Sequence, residues 1–204
     1  MSWWFAPFYD AFMRRSEEAC VRDWRRELLA DVRGEVLDLG AGTGANLPFF
    51  SPEAHVVAAE PDSAMARRLR AHARATGVVV DVVDAVAEAL PFADASFDVV
   101  VSTLVLCTVD DVDRALAEVK RVLRPDGRFI FLEHVAADDP TRQRWQKLLE
   151  PVWKPLAGGC HVTRHTDRAI ERAGFTIESI DRASMRKAVP IVRPSIRGVA
   201  RPLH

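Results

Sequence analysis

The sequence predicts an α/β protein built on a mostly parallel sheet with helices on both faces, and three observations predict it. Short apolar runs alternate with charged helical stretches, the pattern of successive βαβ units. The first apolar run breaks into a glycine-spaced turn, "VLDLGAGTG", as a strand does when it hands over to a helix above a ligand. The composition, 49% hydrophobic and 28% charged over 204 residues, gives enough apolar material for one well-buried core and too little length for two. A single domain spanning residues 1–204 is therefore expected.

From Phe8 to about Ala30 the pattern is helical and heavily charged, so residues 1–33 read as an N-terminal helical cap. Phe5, Phe8, Tyr9, Phe12 and Met13 recur at helical spacing and give that cap an aromatic face, expected to cover the domain or a pocket. Its apolar run is far shorter than the roughly 20 residues needed to span a bilayer. It also lacks the basic start and cleavage site of a signal peptide. Surface attachment to a membrane stays open for it. "EVLDLG" is the first strand, "HVVAAE" the second, and "SAMARRLRAHARATG" a helix closed by Gly77. "VVVDVVDA" and "FDVVVSTLVL" are the third and fourth strands. "VDRALAEVKRVLRPDG" reads as a helix with a Pro-Asp-Gly stop, and "RFIFLEHV" as the fifth strand. Residues 138–165 are rich in Trp, Pro and Gly and read as an insertion on the acceptor side. "TDRAIERAGF" is a helix, "TIESIDRA" a strand, and a last strand is expected near Ile196 to Ala200.

A formal net charge of -1 argues against a dedicated nucleic-acid binder, which carries a basic excess. Cys20, Cys107 and Cys160 are odd in number and far apart, so neither a disulfide framework nor a zinc site follows. A reducing cytoplasm is the default compartment. Asp110, Asp111 and Asp113 sit at the start of a helix, where carboxylates favour the dipole, so no metal is expected there. From Arg182 onward there are six Lys or Arg and no acid, a solvated edge or a contact for an anionic membrane surface.

Gly40, Gly42 and Gly44 let a ligand approach the backbone closely. A phosphate-binding P-loop would need a Lys after the turn, and none follows. The dinucleotide pattern is harder to set aside, because Ala45 satisfies its tolerated form and Glu60 would suit the ribose of either ligand. Asp38, two residues before Gly40, would welcome a cationic sulfonium with an amino-acid tail and repel a pyrophosphate. A nicotinamide-dependent reductase and a cofactor-binding module without turnover remain as alternatives.

"VLDLGAGTG", "AAEPDSAM", "EALPFADASFDVVVS" and "VKRVLRPDGRFIFLEH" together resemble the successive motifs of the class I S-adenosylmethionine-dependent methyltransferases, over Val36 to about Ile180. The resemblance implies a Rossmann-like, seven-stranded sheet in the order 3-2-1-4-5-7-6 with the last strand antiparallel. "GTGANLPFFSP", "STLVLCTV", "FLEHVAA", "GGCHVTR" and "VRPSIRGVA" are similar to the methyltransferase-like alkyl thiol S-methyltransferases. That implies methyl transfer to a small hydrophobic thiol, with S-adenosylhomocysteine as product. Their N-terminal hydrophobic membrane helix is not matched here, so a cytoplasmic or membrane-peripheral location is expected. His161 stands where that group is expected to have Asn. Ubiquinone and menaquinone C-methyltransferases share the "EALPF" block, and quinone C- or O-methylation or phospholipid N-methylation remain alternatives.

The resemblance assigns roles residue by residue. Asp38, Gly40, Gly42 and Gly44 wall the methionine tail, with Asn46 just beyond. Glu60 takes the ribose hydroxyls, and Pro61 to Met65 line one adenine face, Met65 being equally suited to core packing. Val86 replaces an expected Asp, so either Asp84 or the backbone of Ala87 and Glu88 reads the adenine edge. Ser102, Thr103 and Leu104 face the reactive methyl. A thiol acceptor must lose its proton, and His134 and His161 are candidate bases, with Tyr9 a candidate to orient the acceptor. Cys160 is not expected to act as a nucleophile.

Overall fold

The computed structural model describes residues 6–203, with side chains from residue 10 onward. The expected strands form at β1 (Gly34–Leu39), β2 (Ala54–Ala59), β3 (Val80–Val83), β4 (Phe97–Thr103), β5 (Leu123–His134), β6 (Phe175–Ser184) and β7 (Pro194–Pro202). They share one sheet in the order 3-2-1-4-5-7-6. The first five pair in parallel, and β7 runs antiparallel to both β5 and β6.

Period-two alternation sorts the side chains onto two faces. Leu37, Leu39, Val100, Phe129 and Phe131 share one core cluster with residues of α4 (Val112–Val122) and α6 (Thr166–Arg172). Val36, Val56, Val99, Val101 and Ile130 share another with Leu29 of α2 (Arg22–Leu29). Both faces of the central strands are thus dry, which explains why they read as continuous apolar runs. α3 (Ser63–Thr76) starts on Asp62, which accepts hydrogen bonds from the Ala64 and Met65 N–H groups, and ends on left-handed Gly77. Asp111 caps α4 in the same way, accepting from the Arg114 N–H.

The helical N-terminus is α1 (Ala6–Ser16), a π-helical turn (Glu17–Val21) and α2, in one run. The cap is tied down at several points. Thr43 Oγ1 donates to Asp10 at 2.7 Å, and the Arg186 N–H donates to Cys20 Sγ at 3.2 Å.

Two departures from expectation shape the fold most. α4 stops at Val122, and β5 begins at once and runs through Pro125, Asp126 and Gly127. Proline disfavours helix at the residue before it, and a Cβ on Gly127 would lie 2.9 Å from the Arg124 carbonyl oxygen. Residues 138–165, read only as an insertion, contain α5 (Pro140–Leu156), which carries Pro151 and Pro155 inside it. Gln146 anchors this helix from within. It accepts from the Ala137 N–H and donates to the Val135 and Ile191 carbonyls, all within 3.1 Å.

Candidate functional site

A cavity of about 350 Å³ opens at the carboxyl ends of the central strands, where ligands bind in open α/β sheets. Its first half is made of backbone turns. Gly40 and Gly42 both have positive φ, and a Cβ on Gly40 would lie 2.7 Å from Val105 Cγ2. A Cβ on Gly42 would meet nothing closer than the Gly40 carbonyl oxygen at 4.0 Å, so that turn leaves room for a ligand. Glu60, at the end of β2, accepts the Gly42 N–H on Oε2 and the Asp62 N–H on Oε1, both at 2.8 Å. The carboxylate is thereby fixed at the cavity wall. Burial raises its pKa, against the pull of those two donors. A carboxylate has about four acceptor sites, so Glu60 retains two for a pair of hydroxyls.

Asp38 lies beneath the glycine turn, fully buried and outside the cavity lining. Its Oδ1 accepts from Asn46 Nδ2 at 2.7 Å, while Oδ2 is buried without a partner among the described residues. Burial, only partly offset by Asn46 and Arg25, raises its pKa to about 7. Arg25, from α2, is itself buried and reaches under the turn to donate to Asn46 Oδ1 and, at 2.9 Å, to Thr103 Oγ1. Glu17 on the π-helical turn balances its charge at 3.0 Å. Nothing in the local pattern of α2 sets Arg25 apart from its neighbours Arg22 and Arg26, so sequence reading missed it.

Of the expected cofactor residues, Gly40, Gly42, Glu60, Pro61, Met65, Ala87, Glu88, Thr103 and Leu104 line the cavity. Met65 is at once wall and core. Asp84 is exposed and off the cavity, whereas Ala85, Val86, Ala87 and Glu88 line it. Gly44 serves packing instead, since a Cβ there would strike Leu69 and Leu47. Ser102 turns inward and donates to Glu133 Oε1 at 2.7 Å, because alternation along β4 points it away from Thr103.

Glu133 is a further residue the sequence reading did not single out. Fully buried, it also accepts the N–H groups of Val105, Leu106 and Cys107 at 3.0–3.2 Å. These bonds shape the turn after β4, where Leu104 adopts a φ of 62°. The signal was an acid inside an apolar strand, next to the His134 that drew attention instead.

The second half of the cavity is apolar. Phe12 and Met13 come from the cap, Trp153 and Ala157 from α5 and the residue after it, and Met185 and Val192 from the β6–β7 connection. Cys107 and Cys160 lie side by side in it, and the neighbouring thiol together with burial pushes the Cys107 thiol up. His134 lines this half with Nδ1 buried and unpartnered among the described residues. Burial lowers its pKa to about 4, so the ring is neutral at pH 7. His161 lies outside the lining. Its Nδ1 sits 3.3 Å from Glu150 and its N–H donates to the Cys107 carbonyl, so it braces the wall from behind. The side chain of Tyr9 lies outside the described residues.

Five of the six cations of the basic C-terminal run have partners. Arg182 pairs with Asp167, Arg197 with Glu27 and Asp181, and Arg201 with Glu178. Arg186 and Arg193 donate to the backbone carbonyls of Ala19 and Ala188.

Residues 37–131 match the family model described as methyltransferase domain. The thiol S-methyltransferase TMT1A of Homo sapiens is 41% identical over 169 residues, 81% of this chain and 69% of that protein. The ubiquinone/menaquinone biosynthesis C-methyltransferase UbiE of Pasteurella multocida is 44% identical, over 55% of this chain and 46% of its own. Among solved structures, the YcgJ protein of Bacillus subtilis superposes with a TM-score of 0.70 at 21% identity, covering 94% of this chain and 99% of that one.

Proposed function

The chain belongs to the class I S-adenosylmethionine-dependent methyltransferases, together with the thiol S-methyltransferases, and on that premise we propose that it methylates the sulfur of a small apolar thiol. The observation that carries the acceptor is the reach of the match to the human thiol S-methyltransferase. It combines 41% identity with 81% of the chain, whereas the quinone methyltransferase match reaches 55% and a malonyl-[acyl-carrier protein] O-methyltransferase of Methylococcus capsulatus reaches 85% at only 33% identity.

The cofactor half fits S-adenosylmethionine: a pinned carboxylate with spare acceptor sites, an open glycine turn, and a buried unpartnered carboxylate oxygen beneath it. When bound, that cosubstrate supplies a methyl group already activated on a cationic sulfur. Glu60 would hold its ribose hydroxyls. Pro61, Met65 and residues 85–88 would enclose its adenine. Asp38 acts from below the turn, through Asn46, and with a pKa of about 7 its charged form would be favoured by a bound cation above it.

The remaining work falls to the acceptor half. Met13, Trp153, Met185 and Val192 exclude water and orient the incoming sulfur, which supplies much of the acceleration for a displacement of this kind. The thiolate is the nucleophile. His134 Nδ1 is neutral and unpartnered among the described residues, so it can accept a hydrogen bond from the incoming S–H. With a pKa of about 4 it is too weak a base to hold the thiol proton, which passes to solvent as the thiol enters.

The test is release of S-adenosylhomocysteine from purified protein with an alkyl thiol, a demethylated quinone, or no acceptor. Thiol-dependent turnover abolished by Glu60→Ala supports the reading. Turnover with the quinone alone overturns the acceptor and keeps the cofactor site.

A further inference from the structure

α5 is oriented against the usual rule. Its inward side carries polar groups, Gln146 and Glu150, both hydrogen-bonded to the protein. Its outward side is an apolar stripe at helical spacing. Trp145, Leu148, Leu149, Val152 and Leu156 have exposures of 58, 66, 43, 63 and 57%. A surface helix normally shows its charged side to water. Of the six other large exposed apolar residues described, Phe12, Val86 and Val189 line the cavity, while Val79, Ile180 and Leu203 lie elsewhere. The Phe12 ring lies 6.5 Å from that of Trp153. α5 therefore carries both the outward stripe and, at Trp153, part of the cavity wall.

The exposed charges of α5 itself are of one sign. Arg142, Arg144 and Lys147 are exposed, and none has an acidic partner among the described residues. Glu150, the one acid of the helix, is turned inward to the Thr163 N–H and His161. A second copy is a poor occupant, because two-fold pairing of this face brings cations to cations with no acid to receive them. At 17 residues the helix is roughly 25 Å long, too short and too charged to cross a bilayer, and no described helix can cross one. A bilayer surface meets both requirements, with acyl chains for the stripe and anionic headgroups for the flanking cations.

We propose that the outward face of α5 beds into the headgroup layer of an anionic lipid membrane and presents the adjoining cavity to acceptors dissolved in the lipid. The acceptor named here rests on the thiol reading above; the docking face does not.

Vesicle flotation tests it with the full chain. Wild type is expected to float with phosphatidylcholine vesicles containing phosphatidylserine and much less with phosphatidylcholine alone. Leu148→Glu with Val152→Glu is expected to cut the bound fraction about tenfold. Melting temperature and turnover of a short, water-soluble thiol should stay unchanged, since neither residue lines the cavity. Arg144→Glu with Lys147→Glu should remove the preference for anionic vesicles. Wild type left in the lipid-free fraction overturns the proposal, as does a Leu148→Glu, Val152→Glu variant that floats like wild type. A dimer in size-exclusion chromatography that the same variant dissolves also overturns it, in favour of a second copy. Vesicle binding is read without turnover, so failure of the thiol reading and failure of the docking face register in different measurements.

Discussion

The two halves of the cavity are built on different principles. The cofactor half hangs on strand ends and backbone N–H groups, with Asp38, Asn46, Arg25 and Thr103 joined by hydrogen bonds and Glu60 pinned by two backbone N–H groups. The acceptor half is assembled from α1, α5 and the β6–β7 connection, segments far apart in sequence that meet through apolar contact. A hydrogen-bonded half is specific and brittle, since each buried polar group left unpaired costs about 1–3 kcal/mol. An apolar half tolerates change of shape, because volume-conserving swaps usually cost less than about 1.5 kcal/mol.

The difference can be tested by breaking each half separately. Glu60→Ala should have the largest effect, removing the acceptor of the Gly42 and Asp62 N–H groups along with the ribose contact. A loss of S-adenosylhomocysteine affinity of roughly hundredfold by calorimetry is expected; a change under threefold would remove Glu60 from the site.

Asp38→Asn should weaken binding about tenfold yet stabilise the protein. The carboxyl titrates at about 7 when folded and at its ordinary 3.8 when unfolded. The folded state therefore holds the extra proton. Stability from this group is complete below about pH 4 and is lost as pH rises to about 7. Asparagine escapes that loss, so unfolding at pH 8 should cost about 1–3 kcal/mol more. Denaturant melts at pH 8 and pH 4 would show the gain at the higher pH alone.

Ala157→Phe narrows the acceptor half without touching the other. The KM for an alkyl thiol should rise about fivefold, the scale of a small hydrophobic mismatch, while S-adenosylhomocysteine affinity moves less than twofold. Equal changes in both would mean that the two halves are not independent.

The smallest expected effect is the absence of one. With His134 held near 4, the pH profile of kcat at saturating S-adenosylmethionine should show no inflection near 6.5. It should instead follow the pKa of whichever thiol is supplied. An inflection near 6.5 with two thiols of different acidity would place a protonating histidine in the reaction.

Legibility in the sequence follows the same divide. The glycine turn and the strands could be read because each depends on a few neighbouring residues and on a two-residue period, whereas the strand order came from the family resemblance alone. Ser102 was misread by one step of that period, and its hydroxyl serves Glu133 rather than the cavity. α5 went unread because Pro151 and Pro155 argue against helix locally, and Gln146 overrules them only through partners at Val135, Ala137 and Ile191. Arg25 was hidden for a related reason: its partners lie on β4 and beyond β1, and helical periodicity carries no word of them.

That arginine bears on how far the enzyme could be trimmed. Residues 1–33 look like an appendage to the sheet, yet Arg25 is a buried structural cation for Asn46 and Thr103 and, through charge, for Asp38. Excision at Gly34 would leave the motif intact on paper. It would also strip the carboxylate under the glycine turn of its nearest positive charge and open the core around Val36 to water. The smallest working unit therefore includes the cap, and grafting the acceptor half onto another sheet would require the cap to travel with the cofactor half.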